Sequence, residues 1–155
     1  MTMKKSITQS VAAAGGCTCL RLRKATRGMS RIYDSFIAPS GLSGPQFSLV
    51  SSIAGSPDIT ISELADRLMM DATTLTRNLQ PLVRQGLIEA KAQPQDRRVR
   101  TLRLTSAGLK TLQTARKLWR QAQDYATAQL GPDAALLNSI LDRTLEKLRT
   151  LEQAR

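Results

Sequence analysis

The run Thr73-Thr74-Leu75-Thr76-Arg77-Asn78 concentrates three hydroxyls, a guanidinium and a carboxamide in a short stretch of chain. None of these groups drives covalent chemistry alone, but together they suit the edges of stacked bases. Hydroxyls bond to bases or phosphates, a threonine methyl meets a thymine methyl, and a guanidinium forks onto guanine N7 and O6. A second polar cluster, Gln93-Pro94-Gln95-Asp96-Arg97-Arg98 with Arg100 just beyond, offers guanidinium groups of the kind that the negative potential of a narrow groove attracts. Asp96 is the exception in that run, and we expect it to hold a neighbouring arginine in a fixed rotamer by a charge-assisted bond. The plain alternative for the cluster is an ordinary charged turn.

Residues suited to catalysis are scarce. The chain has no histidine, which removes the commonest general base and metal ligand. Cys17 and Cys19 are too few for a tetrahedral metal site, and no glycine-rich phosphate loop is present. A nucleophilic Cys17 would lack its histidine base. We therefore expect no enzyme activity, no catalytic residues, no metal and no cofactor. With 23 Lys and Arg against 12 Asp and Glu, the formal net charge is +11, which favours a polyanionic partner, nucleic acid or acidic membrane. No apolar run is long enough to span a bilayer, so a cytoplasmic protein with no membrane partner is expected.

The elements that position these residues are mainly helices. Aromatic residues make up only 3% of the chain, so the core must come from Leu, Ile, Val, Ala and Met, a mixture that suits packed helices. Residues 1–16 show no sustained apolar period and read as a flexible arm, leaving 17–155 as a single domain. Apolar residues at helical spacing from Leu20 to Ile37 predict a first helix that stops before Pro39. Ser43 with Gln46, and Thr60 with Glu63, read as capping boxes opening a second helix and a short third one. Asp71 caps a fourth helix, which carries the Thr73–Asn78 run and ends at Gly86. Pro81 predicts either a kink in that helix or an earlier end. Alternation over Leu87–Lys91 and Val99–Leu104 predicts a β-hairpin with the arginines at its tip. Thr105 caps a long helix to about Leu130, and Gly131-Pro132-Asp133 starts a last one bearing Leu137, Leu141, Leu145, Leu148 and Leu151.

Two helices joined by a short turn and followed by a hairpin with a basic tip describe a winged helix-turn-helix, here over residues 43–104. The fold class is mostly α with a small β-hairpin wing. In this arrangement the fourth helix would read the major groove of double-stranded DNA through Thr73, Thr74, Thr76, Arg77 and Asn78. Arg97, Arg98 and Arg100 would serve from the wing, with Asp96 orienting it.

In detail the chain resembles the multiple-antibiotic-resistance regulator (MarR) family. The resemblance rests on Leu42-Ser43 with Gln46-Phe47, Ile61-Ser62-Glu63-Leu64-Ala65, Leu75-Thr76-Arg77-Asn78-Leu79, Gly86-Leu87-Ile88, Asp96-Arg97-Arg98, and Leu104-Thr105 with Gly108. It implies a homodimer built by helices in 17–38 and 105–155, presenting two reading heads to a pseudo-palindromic operator, usually as a repressor. Unpartnered apolar stripes on those helices agree with a second copy. The resemblance also implies a small aromatic or phenolic effector that releases DNA. Tyr33, Phe36 and Phe47 are candidate contacts for it, with Arg23 or Arg27 for a carboxylate; plain core and surface roles are the alternative. Because some family members sense oxidants through an N-terminal cysteine, a thiol-based redox switch at Cys17 and Cys19 is a competing reading. An effector-independent architectural DNA binder is another.

Overall fold

The computed structural model of the protein describes residues 16–93, 96 and 99–154. Helix α1 (Thr18–Ile37) passes into a 3₁₀ turn, Ala38–Ser40, because Pro39 has no N–H with which to continue it. Helix α2 (Gly44–Gly55) begins at a reciprocal cap. The Gln46 N–H donates to Ser43 Oγ at 3.4 Å, and the Ser43 N–H donates to Gln46 Oε1 at 2.9 Å. The same device opens α3 (Ile61–Leu68), with Thr60 and Glu63 exchanging bonds of 3.2 and 2.8 Å. Asp71 caps α4 (Ala72–Arg84) and Thr105 caps α5 (Ser106–Leu130). Helix α6 (Asp133–Gln153) follows, with Pro132 at its N-cap rather than in its first turn. Each helix from α2 to α5 thus starts at the capping residue expected for it.

Helix α4 runs through Pro81 to Arg84, so the earlier end is not the one adopted. The ring leaves the Arg77 carbonyl without its usual i+4 donor. Before α4, the chain turns through Met69 in the left-handed region (φ 51°), and the Met70 N–H donates to the Ala65 carbonyl at 2.9 Å.

The predicted hairpin is present as β2 (Ile88–Ala92) and β3 (Arg100–Leu104), and a short strand β1 (Ile59–Thr60) joins the other edge of β3. All pairings are antiparallel, with Ile88 opposite Leu104, and both Ala90 and Ile59 opposite Leu102. This register turns Ile59, Ile88, Leu102 and Leu104 into the core. The outer face carries charge: Arg103 donates from Nε to Asp58 Oδ1 at 3.1 Å and from a second nitrogen to Oδ2. That bond holds the Asp58 carboxyl below the usual carboxylate range.

The core gathers around α2, whose Phe47, Leu49, Val50 and Ile53 are buried, and takes in Ile37, Leu64, Leu75, Leu82 and Leu112 from the surrounding helices. Helix α6 stays outside it. Ala134 is its one buried hydrophobic residue among those described, whereas Leu136, Ile140, Leu145, Leu148 and Leu151 face solvent. At the start of α5, Thr105 donates its N–H to the Leu87 carbonyl at 3.1 Å and its hydroxyl to the Gly86 carbonyl at 2.6 Å. A Cβ on Gly108 would lie 2.1 Å from the Leu87 carbonyl oxygen, so only glycine allows this approach.

Candidate nucleic-acid interface

Leu75, Leu79 and Leu82 anchor α4 in the core and fix which side of the helix faces out. The outward side is a concavity formed by Ala72, Thr73, Thr76, Arg77 and Gln80. Thr76, Gln80 and Arg84 also line a second concavity of about 310 Å³, whose other wall includes Ala90, Leu102 and Arg100 of the wing strands. The middle of α4 and the loop-side half of the wing strands therefore share one surface.

The predicted residues differ in what their side chains have left to offer. Thr74 is occupied at the cap, its N–H donating to Asp71 Oδ1 at 2.8 Å and its hydroxyl to Oδ2 at 2.6 Å. These bonds hold the Asp71 carboxyl below its ordinary range, the side-chain bond most of all. The Thr76 hydroxyl donates to the Ala72 carbonyl at 2.7 Å, which leaves its oxygen free to accept, and the residue is exposed. Thr73 and Arg77 are exposed, while Asn78 is half-buried on the flank. Gln80 and Arg84 were not among the sequence-based candidates, although Gln80 lies four residues after Thr76 and seven after Thr73, on the same helical face.

Arg100 opens β3 and is exposed. Where the loop between β2 and β3 is described, the Val99 N–H donates to the Asp96 carbonyl at 3.0 Å, and the Gln93 N–H donates to the Val99 carbonyl at 2.9 Å. Arg97 and Arg98 lie outside the described residues, and with them the expected contact to the Asp96 side chain.

This arrangement has counterparts in known proteins. The profile of the MarR family matches residues 40–99. The chain is similar to the M. tuberculosis transcriptional regulator MosR, solved in complex with DNA: 37% identity over 89% of this chain and 97% of that one, with a TM-score of 0.75. The chain belongs to the MarR family. A MarR variant from E. coli, solved with operator DNA, shares 27% identity over 80% of this chain and 90% of its own, with a TM-score of 0.73. Among curated proteins, the multiple antibiotic resistance protein MarR of E. coli K12 is 28% identical over 74% of this chain and 81% of its own length. As a MarR-family member the chain is a winged-helix transcriptional regulator, and the family is one of regulators rather than enzymes.

This MarR-family chain has a further cavity, of about 470 Å³, between α1, α2, α5 and α6. Tyr33 and Phe47 line it, joined by Met29 and Trp119, and the rings of Phe47 and Trp119 stack at 6.0 Å. Phe36 does not line it and packs instead on Tyr125, with ring centroids 5.5 Å apart. Arg23 and Arg27 do not line it either. The cavity side of α1 runs through Leu22, Ala25, Thr26, Met29, Ser30, Tyr33 and Ile37, and the two arginines fall on other faces of the same helix, exposed. The Tyr33 hydroxyl donates to Gln123 Oε1, and burial raises its pKa.

Cys17 stands at the N-cap of α1 without a side-chain capping bond, and Cys19 lies in its first turn; both are reduced and exposed. Among the described residues no group of three or more His, Cys, Asp or Glu is arranged to hold a metal ion, and no helix is long and apolar enough to cross a membrane.

Proposed function

We propose that the protein is an effector-responsive repressor that binds a pseudo-palindromic operator in double-stranded DNA as a homodimer in the cytoplasm. The observation that carries this is the single exposed surface made by Thr73, Thr76, Arg77 and Gln80 on α4 and Arg100 at the loop end of the wing strands. Solved DNA complexes of MosR and of E. coli MarR support the same use here, as does the charge of +11. In this reading α4 enters the major groove, with Thr73, Thr76, Arg77 and Gln80 at base edges or phosphates and Asn78 on its flank. Thr74 shapes the N-terminus of α4 through Asp71. Arg97, Arg98 and Arg100 follow the backbone and the minor groove, with Asp96 steadying the loop. Residues 17–38 and 105–155 form the dimer body, 43–104 the reading head and 1–16 an arm. The 470 Å³ cavity, beside both body and head, is the effector site, with Tyr33 and Phe47 in its wall.

The test is binding to the DNA upstream of the protein's own gene across a range of salt. Arg100→Ala should weaken binding to every duplex and reduce the salt slope by about 1. Arg77→Ala or Gln80→Ala should change which operator is preferred, at about 1–3 kcal/mol for each contacted base pair. Affinity and preference unchanged in all three variants would reject the assigned surface. Release by aromatic compounds but not by peroxide separates a ligand switch from one using Cys17 and Cys19. Release by neither, together with little sequence preference, returns the architectural reading.

A further inference from the structure

We propose that the cavity between α1, α2, α5 and α6 accepts an uncharged aromatic molecule carrying a hydrogen-bond donor, and discriminates against aromatic carboxylates. This rests on the reading of that cavity as the effector site. The lining residues with polar side-chain atoms are Thr26, Ser30, Tyr33, Ser48 and, through its indole N–H, Trp119, all uncharged, and none of the described lining residues is a lysine or arginine. Phe47 and Trp119, whose rings stack 21° from parallel, give that wall an aromatic surface suited to an aromatic guest.

An anion could still be held by the N-terminus of α2, since Gly44 and Pro45 reach the cavity. The donors of that terminus are already occupied. The Gly44 N–H donates to Asp34 Oδ1 at 2.6 Å, Pro45 has none, the Gln46 N–H donates to Ser43 Oγ, and the Phe47 N–H donates to the Ser43 carbonyl at 2.8 Å. A carboxylate placed there would meet the fixed charge of Asp34 in place of free N–H groups. Entering the cavity would strip its water without supplying a countercharge. The Tyr33 hydroxyl points the same way. Its proton is committed to Gln123, which leaves the phenol oxygen as an acceptor, and a neutral O–H or N–H of the guest can donate to it.

Three isosteres differing in charge test this: para-tert-butylbenzyl alcohol, para-tert-butylbenzoate and para-tert-butylbenzylammonium. They are titrated into the full-length protein at neutral pH. Emission from Trp119, the chain's single tryptophan and part of the cavity wall, reports occupancy independently of DNA. The alcohol should bind at least about tenfold more tightly than either ion, a difference of about 1.4 kcal/mol. Ser30→Arg, which adds a guanidinium to the wall, should reverse the order in favour of the benzoate, with its melting curve checking that it folds. Benzoate or ammonium binding the unmodified protein as tightly as the alcohol overturns the charge preference and leaves the effector site standing. Binding of none of the three, in emission or in melting temperature, removes the effector site and this inference together.

Discussion

Gly108 and Asp71 show how single residues set the geometry of the winged helix and of its junction with α5. Any side chain at 108 collides with the Leu87 carbonyl, and the collision is with backbone, so a flexible neighbour cannot relieve it. Gly108→Ala should cost about 1–3 kcal/mol in chemical denaturation, the range of an overpacked interior. Asp71→Ala removes both bonds to Thr74 and should lower the melting temperature by a few degrees while fraying the start of α4. Among the described residues three carboxyls have lowered pKa values, each chiefly through a hydrogen bond: Asp58 from Arg103, Glu63 from the Thr60 backbone, and Asp71 from the Thr74 side chain. Because folding depresses these pKa values, the stability they contribute is complete above the ordinary carboxylate range and disappears as pH falls through the depressed values. Unfolding midpoints should therefore be flat near neutrality and drop in acid. A Asp58→Asn, Glu63→Gln, Asp71→Asn triple variant should drop less. The caps were legible in sequence because capping is local chemistry between residues three apart. The Asp34 cap on Gly44 and the Leu87 contact of Gly108 were not, since both join segments that only the fold brings together.

Among the elements, α4 was read in position and in its buried side of Leu75, Leu79 and Leu82, but not in how its exposed residues divide. Its contiguous polar run was treated as one set, whereas the helix turns Thr74 to the cap and Asn78 to the flank, and adds Gln80 to the exposed face. Helical spacing likewise puts Arg23 and Arg27 of α1 off the side that lines the cavity. Strand β1 escaped notice because two residues are too short for alternation to register, and it is a strand only through pairing with β3. Pro81 marks where α4 carries a cost that local propensity would avoid. Pro81→Ala restores an N–H for the Arg77 carbonyl and should raise stability by about 1–2 kcal/mol in urea unfolding. That is below the roughly 3 kcal/mol of an unadapted helix, because the native backbone already accommodates the ring. Operator preference should be retained, since Pro81 is absent from the exposed face.

At the scale of the whole molecule, α6 keeps five large apolar side chains in solvent, with Leu151 at 64% exposure and Leu136 at 58%. A monomer has no use for such a face, and a second copy would remove it from water at about 25 cal/mol for each Å² covered. A Leu145→Glu, Leu148→Glu double variant should sediment at half the mass of the parent protein and lose operator affinity by about a hundredfold or more, because one head replaces two. A parent protein that is already monomeric at working concentration would contradict the assembly. The apolar stripe of α6 was visible as a leucine repeat, but its failure to reach the chain's own core could be seen only once that core was closed around α2. Thr105, fastened to the carbonyls of Gly86 and Leu87, gives α5 the properties of a lever. Its 25 residues extend about 37 Å at 1.5 Å each. A tilt of about 5° at one end therefore displaces the other by about 3 Å, close to the roughly 3.4 Å rise of one base step. In the proposed dimer, a guest that shifts this shaft only slightly would put the two heads out of step with their half-sites, without unfolding or remodelling either one.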